Sequence, residues 1–493
     1  MFGFAVKETV HSQWISTFSV AWRSIFLGLF VLAMLIASAT ARSELLPLPP
    51  QLSKAQLDIT AHFCDTEPRR ELCSTLPKDV LEFSKFFIYM LIEQNAQNPF
   101  DLFSWQSFIA LNWPVDKSGS ADIGSSPESP RHWQTYTTPR ELFNYPESEL
   151  CTRKQLSQSS LLSSAYIQAD GLPLIDQNGN YVIYDIRINP VMEKYIKQNN
   201  LHTLSGQKLF QQAGGIIDFP KGFYQDPINQ LGGSVGAMTI KTAWRILDPE
   251  NDKQLKRFYV TNGLIEVSAE QSLNNKPMCL PVTLGLVGMH IVNRTESGNG
   301  GDWIWTTFEH VDNAPFADHA RGPNSIHVST SLFPENCAAS VNPENRYSFF
   351  DASCEDCQAN QPPAGIPEDW KWAGQPPYAR YSDNEPVKPP QVTRCWLPSV
   401  GTRYINRAWQ DKLAGTVWTN YALATTQWKG ATKSAVFPNG EVPRYLTNSA
   451  FETYLQTADN GTCLGCHSAA KTLTDQPANL TFLLSRARNS ESE

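Results

Sequence analysis

Several things are missing from this chain of 493 residues. Beyond the first forty residues, no apolar run approaches the about 20 residues that a membrane-spanning helix needs. No basic excess is present either. The formal charge is −8, which excludes a general nucleic-acid binder. No internal repeat recurs, so a solenoid or propeller built from copies of one unit is excluded. No methionine follows Met289, and no histidine follows His467. Whatever chemistry the last residues hold, they cannot supply a thioether or a second imidazole to it.

Those last residues hold "NGTCLGCHSAAK", with Cys463, Cys466 and His467 in the order C-x-x-C-H. This is the attachment spacing of c-type haem. Two cysteines three apart put both thiols on one side of a helical turn, where each can add to a porphyrin vinyl group. The adjacent histidine then serves as an axial iron ligand. At this chain's Cys and His content, accidental matches number on the order of 0.004. Two rivals use the same cysteines. Cys354-x-x-Cys357 and Cys463-x-x-Cys466 would make a Cys₄ zinc site, but the pairs lie far beyond zinc-ribbon spacing. A thioredoxin-like dithiol needs a βαβ context that is absent. The expectation is one covalent haem c.

Haem c is attached outside the bacterial cytoplasm, and the N-terminus reads as an export signal. Arg23 precedes an apolar run from Ile25 to Ile36, followed by Ala37-Ser38-Ala39-Thr40-Ala41 with two A-x-A sites. Cleavage there gives a periplasmic protein starting near Arg42, with a charge of about −9; an uncleaved anchor is the alternative. The eight cysteines outside the haem motif suit disulfides in an oxidising compartment. Cys64 and Cys73 are close in sequence, and Cys337, Cys354, Cys357 and Cys395 flank a proline-rich stretch.

Three regions follow: a signal over 1–41, a β-rich α+β body over 42–447, and a haem-binding segment over 448–493. In the body, periodicity predicts an N-terminal helical hairpin. Its first helix carries Val80, Phe83, Phe87, Met90 and Leu91; its second has a stripe of Leu102, Trp105, Phe108, Ile109 and Trp113. Strands follow in "YVIYDIRIN", "AMTIKTAWRIL", "PVTLGLVGMHIVNRT" and "DWIWTTFEHVD", the last two joined by "ESGNGG". Alternation puts Leu284, Leu286, His290 and Val292 on one face, and Val287, Met289 and Ile291 on the other. Residues 354–395 read as an ordered wrap, because their prolines are interleaved with Trp370, Trp372, Tyr378 and Tyr381. A helix near 402–414, a strand "TNYALATTQW" and a short helix "NSAFETYLQTA" lead into the motif. The segment from Asn448 is too short to build its own core, so it is expected to pack on the body and close a pocket there.

The sixth iron ligand is open. Met289, His290 and His310 are the candidates, and strand alternation lets at most one of Met289 and His290 face the haem. Since no motif marks a ligand, an empty or water-filled site is expected. His319 and His327 lie nearby; His62, His132 and His202 read as surface residues. Glu309 and Asp312 beside His310 read as a strand end and turn, with metal ligation as the alternative.

The segments "FSWQSFIALNWP", "AWRILD", "MHIVNRT…WIWTTFEHVDNAP", "GTVWTNYALATTQW", "LTNSAFETYLQ…CLGCH" and "LTFLLSRA" resemble uncharacterised bacterial periplasmic mono-haem cytochrome c family proteins. The resemblance implies haem c on Cys463, Cys466 and His467, and export; it supplies no substrate. Electron transfer with a redox partner protein is the leading expectation. A haem-dependent oxidoreductase or peroxidase-like enzyme, or a small-ligand-binding haem protein with an open distal site, are the alternatives.

Overall fold

The computed structural model describes residues 72–488, apart from 81, 84–96, 116–121, 126–128, 225–231, 297–302, 322–336, 343, 345–346, 355–356, 430–440, 443–447 and 457–461. The expected signal, the first helix of the hairpin beyond Phe83, the "ESGNGG" loop, His62 and His327 lie outside these residues. Among the described residues no helix is long and apolar enough to cross a membrane.

The chain is a mixed α/β protein, β-rich, with a nearly closed sheet and few helices. The sheet is organised by one long strand. In chain order its members are β1 (Leu161–Ser163), β2 (Ile183–Ile188), β3 (Met238–Leu247), β4 (Val260–Val267), β5 (Met278–Arg294) and β6 (Trp303–His310). After three short strands outside this sheet, β7 (Phe316–Arg321), β8 (Trp370–Trp372) and β9 (Ala379–Tyr381), come β10 (Arg394–Trp396), β11 (Tyr421–Lys429) and β12 (Glu441–Val442). β10 pairs with β7, whereas β11 and β12 return to the main sheet.

β5 is 17 residues long and pairs with three strands. One edge takes β3. The other takes β4 as far as Gly285 and β6 from Gly288 onward. β4 carries β1 on its far side, and Ala165 just after β1 bridges Tyr184 in β2. The ring β1-β4-β5-β3-β2 is thus almost shut, and the second half of β5 continues into β6, β11 and β12.

The changeover on β5 contains an irregularity that alternation alone does not show. Ala243 pairs with Gly288 but Trp244 pairs with Leu286, so Val287 is an extra residue. Val287 and Gly288 therefore point to the same side, and the facing pattern reverses across them. Leu284 and Leu286 share the main core with Met289 and Ile291, not with His290 and Val292 as strict alternation predicts. Two carbonyls at the break have side-chain donors. Tyr421 donates its hydroxyl to the Leu286 oxygen at 2.9 Å, and Asn313 donates Nδ2–H to the Val287 oxygen at 2.8 Å. Without them buried acceptors would stand unpaired, at a cost of about 1–3 kcal/mol each.

One face of the sheet is covered by two helices, α1 (Gln97–Leu111) and α4 (Val400–Lys412), which bracket α2 (Pro190–Gln198) and α3 (Leu204–Gln212) in chain order. α1 was expected to present a single apolar stripe. It is buried on every side from Pro99 to Leu111, because sheet, α4 and the strap 72–83 surround it. Its polar groups are used accordingly. Ser104 bonds Thr306 and Thr426 hydroxyls at 2.7 and 2.8 Å, and Gln106 Nε2 donates to the Thr75 carbonyl at 2.8 Å. Trp105, Phe108, Phe308, Trp409, Trp418 and Tyr421 form the aromatic centre of this layer.

Within the proline-rich stretch β8 and β9 pair, and Trp370, Trp372 and Tyr378 enter the main core. Three disulfides join Cys151 to Cys279, Cys337 to Cys395, and Cys354 to Cys357. Cys73 is also disulfide-bonded, to a partner outside the described residues. With Cys354 and Cys357 bonded to each other, they hold no thiolates for zinc.

Gly288 tests the bulge. A Cβ there would lie 2.7 Å from the Phe451 ring and 3.2 Å from Ala450. Gly288→Ala is expected to cost about 1–3 kcal/mol by overpacking, measured as a lower denaturation midpoint. Unchanged stability would show that the 448–456 segment does not press on β5 in this way.

Candidate functional site

The face of the sheet away from α1 and α4 forms the floor of a cavity of about 1010 Å³. Strand register sets its side chains in two rows. Ile186, Lys241, His290 and Thr307 lie across β2, β3, β5 and β6; Thr239, Val292 and Trp305 lie across β3, β5 and β6. The bulge is what turns His290 and Val292 toward this floor. The walls come from 138–146 and 156–169, and the remainder from the C-terminal segment.

That segment is pinned by buried polar contacts. Glu309 on β6 accepts from the backbone N–H and the hydroxyl of Ser449, and from Arg394 Nε at 3.1 Å. Gln456 accepts from the Cys395 N–H at 3.0 Å and donates to the Thr393 carbonyl at 2.8 Å. The expected helix over "NSAFETYLQTA" is only a 3₁₀ turn at Thr453–Leu455, because these side chains bond the body instead. The described residues belong to one compact unit, so the C-terminal segment is part of the body's fold.

The motif forms a short helix, α5 (Cys463–His467). Thr462 caps it by accepting from the Gly465 N–H at 2.9 Å, and Gln427 on β11 accepts from the Leu464 N–H at 3.0 Å. Cys463, Cys466 and His467 all line the cavity. Cys463 and Cys466 are not joined to each other. Burial pushes the Cys466 thiol up, so it stays protonated at neutral pH.

His467 is held in one tautomer. The Leu480 carbonyl lies 2.8 Å from its Nδ1. A carbonyl only accepts, so Nδ1 carries the proton and Nε2 keeps its lone pair. Nε2 has no hydrogen bond among the described residues. Trp305 and Phe482 flank the ring at centroid distances of 4.2 and 5.1 Å. Burial lowers its pKa to about 4, which keeps the imidazole neutral at pH 7. Leu480 sits at φ 65° and Asn479 at φ 50°. Two successive left-handed residues, one of them leucine, are a costly way to aim a carbonyl, and such backbone concentrates at functional sites.

No family model, curated protein or solved structure matches this chain. The functional reading therefore rests on the site.

The three candidate sixth ligands separate cleanly. Met289 is buried in the main core, where Asn112 Nδ2 donates to its sulfur at 3.6 Å. His310 is fully buried elsewhere. It stacks on Phe258 at 3.9 Å, accepts the Asp312 N–H at Nδ1 and donates from Nε2 to the Arg257 carbonyl at 3.1 Å. Only His290 lines the cavity. Its Nδ1 bonds the Thr307 hydroxyl at 2.9 Å, its Nε2 faces Glu452 Oε2 at 3.4 Å, and Phe451 stacks on it at 3.8 Å. Glu309 and Asp312 are structural: Glu309 holds Ser449, and Asp312 pairs with Arg257. Among the described residues no group of three or more His, Cys, Asp or Glu could hold a metal ion by itself. His319 is exposed on β7, and the half-buried His132 meets Tyr136 edge-on.

Sequence reasoning missed Lys241 and Glu452. Burial raises the Glu452 pKa, but His290 and Lys241 outweigh it and hold the carboxyl below its usual range. Lys241 reads as the outward residue of an alternating strand, and only the covering segment reveals that it is enclosed.

His310 provides a pH test. Burial lowers its pKa from 6.5 to about 4. The folded state therefore favours neutral His310, and this contribution is complete above the unfolded pKa and lost as pH falls through about 4. The loss is on the order of 3 kcal/mol. His310→Gln is expected to be less stable than wild type at pH 7, with the gap closing toward pH 4. A gap constant across that range in denaturation midpoints would refute the assignment.

Proposed function

We propose that this protein is an exported c-type cytochrome carrying one covalent haem, which passes electrons to or from a redox partner protein. The observation that carries the reading is the joint placement of Cys463, Cys466 and His467 on one large cavity, with His467 Nδ1 committed to the Leu480 carbonyl. A ligating histidine whose other nitrogen donates to a backbone carbonyl is the usual arrangement at metals. The donor set fits the group: two thiols for thioether bonds, and a neutral imidazole with a vacant Nε2 for the iron. The cavity is also large enough for a cofactor by the measure of ordinary ligand sites, about 300–1,000 Å³. Arg486 on its wall pairs with no carboxylate among the described residues and suits a propionate.

Haem c supplies one-electron redox chemistry when bound. The chain's part is to orient His467, to exclude water with Trp305 and Val292, and to leave a side accessible. Cys466 is exposed, and Phe482 is 41% exposed, so the cavity opens beside the attachment point. That opening is where a redox partner would approach. Export is supported by the signal-like N-terminus and by the disulfides, which persist in oxidising compartments. The resemblance to periplasmic mono-haem cytochromes points the same way.

One observation favours a second reading. His290, Lys241 and Glu452 bring charge and proton-transfer groups into the cavity, which pure electron transfer does not need. They suit a haem whose far side takes a small ligand, as in an oxidoreductase, a peroxidase-like enzyme or a ligand-binding protein.

The test is covalent attachment. Purified exported protein is expected to show a haem-stained band in denaturing electrophoresis that survives acid acetone, and Cys463→Ala/Cys466→Ala is expected to abolish it. A stained band in the double variant would overturn the assignment.

A further inference from the structure

The half-buried Lys241 ammonium stands apart from the buried charges of this molecule. Asp176 pairs with Arg245, Asp185 with Arg187 and Glu309 with Arg394, each at 3.1 Å or less. Lys241 has no ion pair or hydrogen bond to a side chain among the described residues. Its nearest partners are two aromatic faces, with the Tyr184 centroid at 5.0 Å and the Phe451 centroid at 5.3 Å. Burial lowers its pKa, and the carboxylates of Glu452 and Asp170 act on it only through space. Arg486 also faces this region with a charge of the same sign. An ammonium carries three donors and no acceptor, so the donors of this half-buried one are left for whatever enters the cavity.

Its surroundings are organised as a subsite. Lys241 and His290 are direct cross-strand neighbours on the cavity floor, and Thr307 is His290's neighbour on the other side. Both nitrogens of His290 face protein groups: Nδ1 the Thr307 hydroxyl, Nε2 the Glu452 carboxylate. Its orientation is fixed further by the Phe451 ring, which the glycine at 288 makes room for. In contrast to His467, this imidazole does not present an unengaged nitrogen. It is built as a hydrogen-bonding group and not as an iron ligand.

We propose that Lys241, beside the fixed His290 ring, forms a subsite for a small inorganic monoanion on the sheet side of the cavity that holds the haem. The inference rests on the haem reading and deepens it by naming the ligand class. Lys241 supplies the charge and the donors. Glu452 keeps His290 oriented, and the apolar rings around Lys241 limit the occupant to a few atoms.

The experiment uses the ferric, haem-loaded full chain with azide as probe, read by its electronic spectrum, alongside haem staining of every variant. Wild type is expected to show a saturable shift. Lys241→Met is expected to weaken azide by about tenfold or more, the scale of losing one buried charged partner, with staining unchanged. Lys241→Arg is expected to restore most of the affinity, which separates charge from packing. A stained wild type with a low-spin spectrum that azide does not move would overturn the subsite. So would His290→Ala converting a low-spin to a high-spin spectrum, because His290 would then be the iron ligand. Unchanged azide affinity in Lys241→Met with a shifted reduction potential would assign Lys241 to a propionate instead, which also overturns it. An unstained wild type fails at the earlier step and removes both readings.

Discussion

Between Leu286 and Gly288, β5 has one residue more than the strand beside it, and that surplus decides which chemistry faces where. Before Val287 the even-numbered side chains enter the main core; after it the odd-numbered ones do. Met289 is drawn into the core and His290 is turned out to the cavity. The break also coincides with the change of partner from β4 to β6, so a single strand serves both the nearly closed ring and the open extension. Tyr421, at the start of β11, and Asn313, in the turn after β6, satisfy the two carbonyls exposed by the break. A bulge buried this deeply is held by its neighbours and in turn sets their register.

The two faces produced in this way are used differently. The face under α1 and α4 is filled with aromatic rings, and its buried polar groups include the hydroxyl set of Ser104, Thr306 and Thr426 and the Asp101 carboxylate, which accepts from Gln97 and Thr402. The opposite face is left open, floored with Lys241, His290, Thr307 and Trp305, and covered by the last forty or so residues. Covering a charged floor with a short segment requires strong attachment. Glu309 and Gln456 provide it through buried hydrogen bonds that bridge segments distant in sequence. The attachment has a functional consequence. The same segment that needs the body for its core brings Cys463, Cys466 and His467 to the cavity edge, and the left-handed pair Asn479–Leu480 turns a carbonyl back onto His467.

The two histidines on the cavity are distinguished by their partners. His467 meets an acceptor at one nitrogen and leaves the other open, which prepares it as a ligand. His290 meets a hydroxyl and a carboxylate, which prepares it to give or share a proton. Residue type alone does not separate these roles, and neither does burial, since both line one cavity. The assignment comes from which atom stands at hydrogen-bond distance.

Much of this was legible in the residues. The C-x-x-C-H spacing predicts that Cys463, Cys466 and His467 share one helical turn, and α5 places them so, because that proximity is local and needs no long-range information. Most strands, the helix near 402–414 and the ordered wrap with its tryptophans were also legible, since periodicity and turn composition are local properties. Three features were not. The facing of β5 depends on a one-residue surplus relative to β3, which no property of β5 by itself reveals. α1 reads as a one-sided stripe because its other neighbours, α4 and the strap 72–83, are hundreds or tens of residues away. Lys241 reads as the outward residue of its strand, and it comes to share a cavity with Glu452 only once the C-terminal segment folds back over the sheet. Spacing along the chain determined that Cys463, Cys466 and His467 share one turn; register and long-range burial decided what surrounds them.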